Sequence, residues 1–213
     1  MTPDVSRPAG PFCSTAPLIL ASGSPRRQEF LKNLGLDFQV LPAVIDETPE
    51  PGENSVHFAR RMALEKACQV AGIHPDSYII SADTVVTVRD RILGKPADGE
   101  EALAMLTALQ DTTHTVITGL CLHHREKKIT ELQTCSTEVT FARFPETALR
   151  AYVATGEPLD KAGGYGIQGI GGFLVRHIRG SCSNVIGLPV SQLVTLLLHH
   201  QIVAPCPSRE DSL

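Results

Sequence analysis

Two adjacent cations, Arg26 and Arg27, stand where a helix should begin. They follow Leu18-Ile19-Leu20-Ala21-Ser22-Gly23-Ser24-Pro25, which reads as a short buried strand, a tight turn and a helix start. Ser24 suits the N-cap and Pro25 the first helical position. Carboxylates are normally preferred there, because the helix dipole is positive at that end. Free N–H groups beside Ser22 and two guanidiniums would instead make a phosphate site. The alternative is that both arginines point into water. Phe30, Leu31 and Leu34 supply the helix's apolar face and Gly35 ends it.

Asp83 is the second chemical signal. It ends the apolar run Tyr78-Ile79-Ile80-Ser81-Ala82, and Val85 to Val88 resume a strand pattern after Thr84. A carboxylate in such a stretch is expensive to bury unpaired. It needs a cation, backbone donors or a cleft. The segment Ile92-Leu93-Gly94-Lys95-Pro96 reads as the return of a hairpin that carries Lys95 back towards Asp83. Lys66 lies in the helical stripe Ala59, Met62, Ala63, Ala67 and Val70. Either it snorkels with its stem on the core or it aims an ammonium into a cleft, and spacing alone favours snorkelling. Glu47 adds a carboxylate, and Gln168 sits in a glycine-rich loop. Cations and carboxylates without a Walker loop suggest a polyphosphate substrate with Mg²⁺ or Mn²⁺, since hard oxygen ligands suit those ions. Asp83 would then bind the metal or deprotonate a water.

The elements that must carry these residues alternate between strand and helix, an α/β pattern. Phe38 to Val44 reads as a strand. Asn54 caps a helix running to about Ala71 and closed by Gly72. Asp98 with Glu101 resembles a capping box, opening a helix through Leu103, Leu106 and Leu109. His114 to Leu122 and Ile129 to Phe141 form an antiparallel pair, and Pro145 opens a helix that ends near Gly156. Gly164, Gly166 and Gly169 match G-x-G-x-x-G. That fingerprint should follow a strand and open a helix. Here it follows a helix and leads into a strand at Phe173-Leu174-Val175, so dinucleotide binding is excluded. Ser181 to Gly187 reads as a small-residue loop, and Pro189 opens a last helix.

A chain of 213 residues forms one domain or two small lobes. Its net charge of −4 excludes bulk electrostatic binding of nucleic acid. No apolar run is long enough for a membrane span, and no secretory signal is expected. The cysteines at positions 13, 68, 121, 135, 182 and 206 form no C-x-x-C pair, which excludes the usual zinc and redox motifs and fits a reducing cytoplasm. The pairs His123-His124 and His199-His200 read as surface residues, because adjacent side chains diverge. Residues 1–16 read as a disordered leader, 17–202 as the folded domain and 203–213 as a flexible tail.

Seven motifs in order give a resemblance to a known family. They are Ala21-Ser22-Gly23-Ser24-Pro25-Arg26-Arg27, Ser81-Ala82-Asp83-Thr84-Val85-Val86, Gly94-Lys95-Pro96, and Thr113-His114-Thr115-Val116-Ile117-Thr118-Gly119. Gly156-Glu157-Pro158-Leu159-Asp160-Lys161-Ala162-Gly163, Gly166-Ile167-Gln168-Gly169 and Asn184-Val185-Ile186-Gly187-Leu188-Pro189 complete the set. Together they resemble the Maf family of nucleoside triphosphate pyrophosphatases over roughly Leu18 to Leu197. The resemblance implies an elongated, mixed-sheet α/β fold of the Maf/ITPase-like type, with two lobes flanking a substrate cleft, and a homodimer. It implies cleavage between the α- and β-phosphates of a nucleoside triphosphate. Asp83 matches the family's general base, Arg26 a substrate contact that influences specificity, and Lys66 and Lys95 phosphate-binding lysines. Glu47 matches a carboxylate that helps hold metal or orient water. Thr84 and Gln168 match the subfamily that prefers dTTP and UTP over the one that prefers 7-methyl-GTP, where these positions resemble Gln and Glu. A rival of another class is a nucleotide-binding regulator of cell division without turnover. The intact Asp83, Lys66 and Lys95 argue against it.

Overall fold

The computed structural model describes residues 10–89 and 91–206. The chain begins with strands β1 (Phe12–Ser14) and β2 (Leu18–Leu20), helix α1 (Pro25–Asn33), strand β3 (Gln39–Val40) and helix α2 (Ser55–Ile73). It continues through β4 (Tyr78–Val88), β5 (Arg91–Leu93), α3 (Gly99–Leu109), β6 (Thr113–His124) and β7 (Ile129–Phe141). Helix α4 (Glu146–Val153) leads into three 3-10 turns, followed by β8 (Val175–Arg179), α5 (Cys182–Ile186), α6 (Val190–His199) and β9 (Val203–Pro205). The expected mixed α/β architecture is present.

The main sheet has the order β3-β2-β4-β6-β7-β8, with β5 added to β4. Strands β2 and β3 run parallel to β4 or to each other, and the long strands β4, β6 and β7 are antiparallel. Strand β4 is the axis of the sheet. One of its sides pairs with β6 from Ile79 to Thr87. On its other side β2 stops opposite Ile80 and the β5 pairing reaches only to Val86, so among the described residues no strand pairs there with residues 81–85. Asp83 and Thr84 lie in that interval. The sequence suggests an interruption at these two residues, yet β4 runs through them as one strand because β6 supports it throughout.

The apolar core is divided by this sheet and along it. Helices α1 and α6 cover one face around Leu20, Leu31, Ile80, Leu120 and Leu193. Helix α2 covers the other through Ala63, Ala67 and Val70 against Ile19, Ile79 and Cys121. Beyond the interval in β4 a separate cluster joins α3 and α4 to Val86, Val116, Phe141 and Leu174. The cleft lies between these clusters, matching the expected two lobes.

Several sequence expectations change. Helix α2 continues through Gly72 to Ile73, and the strand expected at Phe38–Val44 shrinks to Gln39–Val40. Ser181 to Gly187 is not a loop: Ser181 caps α5 by accepting from the Asn184 N–H at 3.2 Å. The strand expected at Phe173 starts at Val175. His124 is buried edge-on against Tyr78, with ring centroids 4.5 Å apart, rather than at the surface. Where the expected leader and tail fall within the described residues they are paired: β1 and β9 are antiparallel, and Cys13 and Cys206 form a disulfide with Cα atoms 5.3 Å apart. The disulfide runs against the reducing compartment that the scattered cysteines suggest, and partners separated by 193 residues leave no local signal in the sequence. The rest of the leader and tail lies outside the described residues.

One glycine fixes the distance between α2 and the sheet. Gly119 on β6 is the register partner of Asp83, and a Cβ there would lie 2.2 Å from the Ala59 carbonyl oxygen of α2. Backbone cannot give way as a side-chain tip would. Gly119→Ala should therefore lower unfolding stability by about 2 kcal/mol through overpacking. Denaturant titration checks this, and an unchanged midpoint would contradict the close approach.

His114 supplies a second expectation. It is buried against Phe141 and Tyr165, with Nε2 2.8 Å from the Tyr165 hydroxyl and Nδ1 without a partner among the described residues. Burial lowers its pKa from 6.5 to about 4. The unfolded chain then takes up this proton first, so stability falls as pH drops from about 6.5 to about 4, by up to about 3 kcal/mol. His114→Gln should remove this part of the pH dependence, measured as unfolding midpoints across that window.

Candidate active site

The site is built where β2, β4, α1 and α2 meet. Leaving β2, the chain hydrogen-bonds Ala21 N–H to the Ile80 carbonyl at 2.8 Å and then turns through Ser22, Gly23 and Ser24 into α1. Ser24 takes the N-cap position with Pro25 behind it, but its side chain caps nothing and the first turn holds no acidic residue. The helix start therefore leaves its N–H groups free of side-chain caps and carries two arginines with no carboxylate in its own first turn.

The two arginines have different surroundings. Arg26 lines the cleft, where no carboxylate is paired to it among the described residues. Arg27 turns inward. Its Nε donates to the Gly187 carbonyl at 2.8 Å, and its other nitrogens donate to Ser22 Oγ at 3.0 Å and Thr84 Oγ1 at 3.2 Å. Burial lowers the pKa of Arg27, against the opposing attraction of Asp83. Three of its five N–H donors thus serve the protein, so this side chain ties α1 to β4 and to the loop after α5. Thr84 also meets Thr118 Oγ1 at 2.9 Å. Its hydroxyl belongs to this network as much as to the cleft.

Across the strand, Asp83 points to the opposite face, as alternation requires. There α2 delivers Lys66. The helical stripe of Ala59, Met62, Ala63 and Ala67 is fully buried, and the small residues bring α2 close to the sheet. Ser81 Oγ pins it by donating to the Ala63 carbonyl at 2.5 Å. Lys66 Nζ then lies 2.7 Å from Asp83 Oδ1 and 2.7 Å from Glu47 Oε1. Lysine and aspartate are both buried, while Glu47 is largely exposed. The ammonium is thus an ion-pair partner rather than a snorkelling end.

Glu47 has no secondary structure of its own to hold it. Two anchors on α2 bracket its segment. Gln69 exchanges two hydrogen bonds with the Val44 backbone, at 2.8 and 2.6 Å, and Arg61 donates to the Thr48 carbonyl at 3.1 Å.

The remaining candidates approach from the far wall of a cleft of about 1040 Å³. The hairpin of β4 and β5 carries Lys95 to the cleft, and Gly163 N–H fixes the exit of β5 by donating to the Gly94 carbonyl at 2.9 Å. Lys95 and Gln168 are exposed and line the same space as Ser22, Arg26, Asp83 and Thr84. Every residue singled out from the sequence is brought to this cleft. Sequence reasoning left out Lys161, which lines it too and donates to Asp160 Oδ1 at 2.6 Å. A lysine within the Asp160-Lys161-Ala162-Gly163-Gly164 run was the available signal.

Among the described residues no three His, Cys, Asp or Glu side chains cluster as a self-sufficient metal site. Asp83 and Glu47 nevertheless converge on one point, with Lys66 between them. Two carboxylates fit Mg²⁺ or Mn²⁺ when phosphate oxygens and water complete the shell.

A family model described as Maf-like protein matches residues 17–200. A protein named dTTP/UTP pyrophosphatase from Desulfotalea psychrophila is 52% identical over 88% of this chain and 96% of its own length. Another of that name from Nitratidesulfovibrio vulgaris is 50% identical over 89% of this chain and 90% of its own. A third, from Myxococcus xanthus, is 49% identical over 84% of this chain and 90% of its own. A solved structure described as a HAM1 protein from Coxiella burnetii has a TM-score of 0.48 and 20% identity, covering 86% of this chain and 99% of that one.

Proposed function

This chain belongs to the Maf-like protein family, and on that premise we propose that it is a nucleoside triphosphate pyrophosphatase acting on dTTP and UTP. The observation that carries the reading is the buried pair of Asp83 and Lys66, shared with Glu47, on the floor of a cleft whose walls supply Arg26, Lys95 and Gln168. Cations on opposite walls suit a triphosphate, which needs charge neutralised along its length.

In this reading the α1 N-terminus and Arg26 grip phosphate oxygens, and Lys95 approaches the chain from the far wall. Asp83 takes a proton from water as its oxygen attacks the α-phosphorus. The bond from that phosphorus to the bridging oxygen breaks, and pyrophosphate leaves with the electron pair. Lys66 holds the Asp83 carboxylate in place and offsets the negative charge gathering beside it. A divalent cation held by Asp83 and Glu47 would supply neutralisation of the phosphates and a more acidic water. Gln168 faces the base, where an amide offers both a donor and an acceptor to a uracil-type edge. The reading includes a homodimer, on the family resemblance alone, and a cytoplasmic protein without nucleic-acid or membrane partners; the Cys13–Cys206 disulfide is unusual for that compartment. No helix among the described residues is long and apolar enough to cross a membrane.

Incubation with dTTP and Mg²⁺ should release dTMP and pyrophosphate. Release of orthophosphate would overturn the assigned bond. Asp83→Asn should lower kcat by roughly 10²-fold or more while keeping its far-UV circular dichroism. Turnover near the wild-type rate in that variant would remove Asp83 as the base.

A further inference from the structure

Glu157 is a half-buried carboxylate to which the proposed mechanism gives no task. It begins the turn after α4, beneath the glycine-rich loop. Its Oε2 accepts from Ile170 N–H at 2.8 Å, and its Oε1 accepts from Gly171 N–H at 3.0 Å and from the Tyr152 hydroxyl at 2.9 Å. The Tyr152 oxygen in turn accepts from Gly166 N–H at 3.2 Å. The stretch from Gly166 to Gly171 is thus hung on two side chains.

The glycines record this closeness. A Cβ at Gly169 would lie 2.3 Å from Glu157 Oε2, and one at Gly171 would lie 2.4 Å from the Tyr152 hydroxyl. Phe173, just past the loop, packs edge-on against Tyr152 with ring centroids 5.8 Å apart. Burial opposes ionisation of Glu157, but the donors from Gly171, Ile170 and Tyr152 outweigh it and lower its pKa. Both oxygens are occupied by these donors. The group is thereby engaged as an acceptor for the loop and not poised as a base for water.

Gln168 sits on the exposed side of this loop, between Gly166 and Gly169. We propose that Glu157 is the positioning residue for Gln168, so that base recognition depends on a carboxylate that organises the loop from beneath. The proposal rests on the reading above that Gln168 faces the base.

Steady-state kinetics with Mg²⁺ and either dTTP or ATP should be compared for wild type, Glu157→Gln, Gln168→Ala and the double variant. In Glu157→Gln the new NH₂ group confronts at least one loop N–H, donor against donor. The expected result is a roughly tenfold rise in KM for dTTP with kcat within about twofold, and a similar loss of preference for dTTP over ATP. Gln168→Ala should behave alike, and the double variant should be no worse than Gln168→Ala alone. Effects that multiply in the double variant would overturn the proposal. So would a fall in kcat at unchanged KM. Failure of the base-recognition reading is distinct: Gln168→Ala would then leave KM for dTTP unchanged while Glu157→Gln still raised it, and the positioning role would fall with it. If Glu157→Gln does not fold, Tyr152→Phe removes one hydroxyl from the same network. A folded Tyr152→Phe with unaltered KM for dTTP overturns the proposal as well.

Discussion

The ion pair between Lys66 and Asp83 governs how the rest of the molecule is arranged. Burying two charges costs several kcal/mol per ion, and their attraction offsets this only when the geometry is close. Closeness requires α2 to lie hard against β4 and β6. The alanine stripe of α2, the bond from Ser81 to the Ala63 carbonyl, and the absence of a side chain at Gly119 all provide it. Gly119 sits opposite Asp83 in register. The strand position that carries the acid therefore faces the position that lets its cation approach.

A second network on the other face of β4 does for α1 what this pair does for α2. Arg27 spends its donors on Ser22, Thr84 and Gly187, so the turn that opens α1 is tied to the strand bearing Asp83. Adjacent residues of one strand, Asp83 and Thr84, thus lock helices on opposite faces of the sheet. Thr84, matched through the family resemblance to substrate preference, contributes its hydroxyl to that lock.

Much of this was readable in the sequence because it is local. Ser24-Pro25 announces a helix start, and an Asp amid apolar β residues announces a cost that something must offset. Lys66 was half readable: helical spacing puts it on the buried face, but its partner lies 17 residues away on another element. His123 and His124 show the limit of a sound rule. Adjacent strand residues do diverge, and one of the two directions here is the core. Pairing of β1 with β9 has no local signature at all, since each strand has three residues and its partner is at the other end of the chain. The glycine-rich loop was legible as a place of close approach, but not what approaches. At Gly169 and Gly171 it is the protein's own Glu157 and Tyr152.

The interval in the edge of β4 has a consequence for strand pairing. An unpaired strand edge is a template for another chain, and proteins generally cover, charge or shorten such edges. Here the bare stretch spans residues 81–85, with β2 fixed at one end and β5 at the other. An incoming polypeptide strand would have to displace one of these residents to gain more than a few ladder bonds. A small molecule faces no such obstacle. The two flanking strands thus confine any added strand to the residues between them.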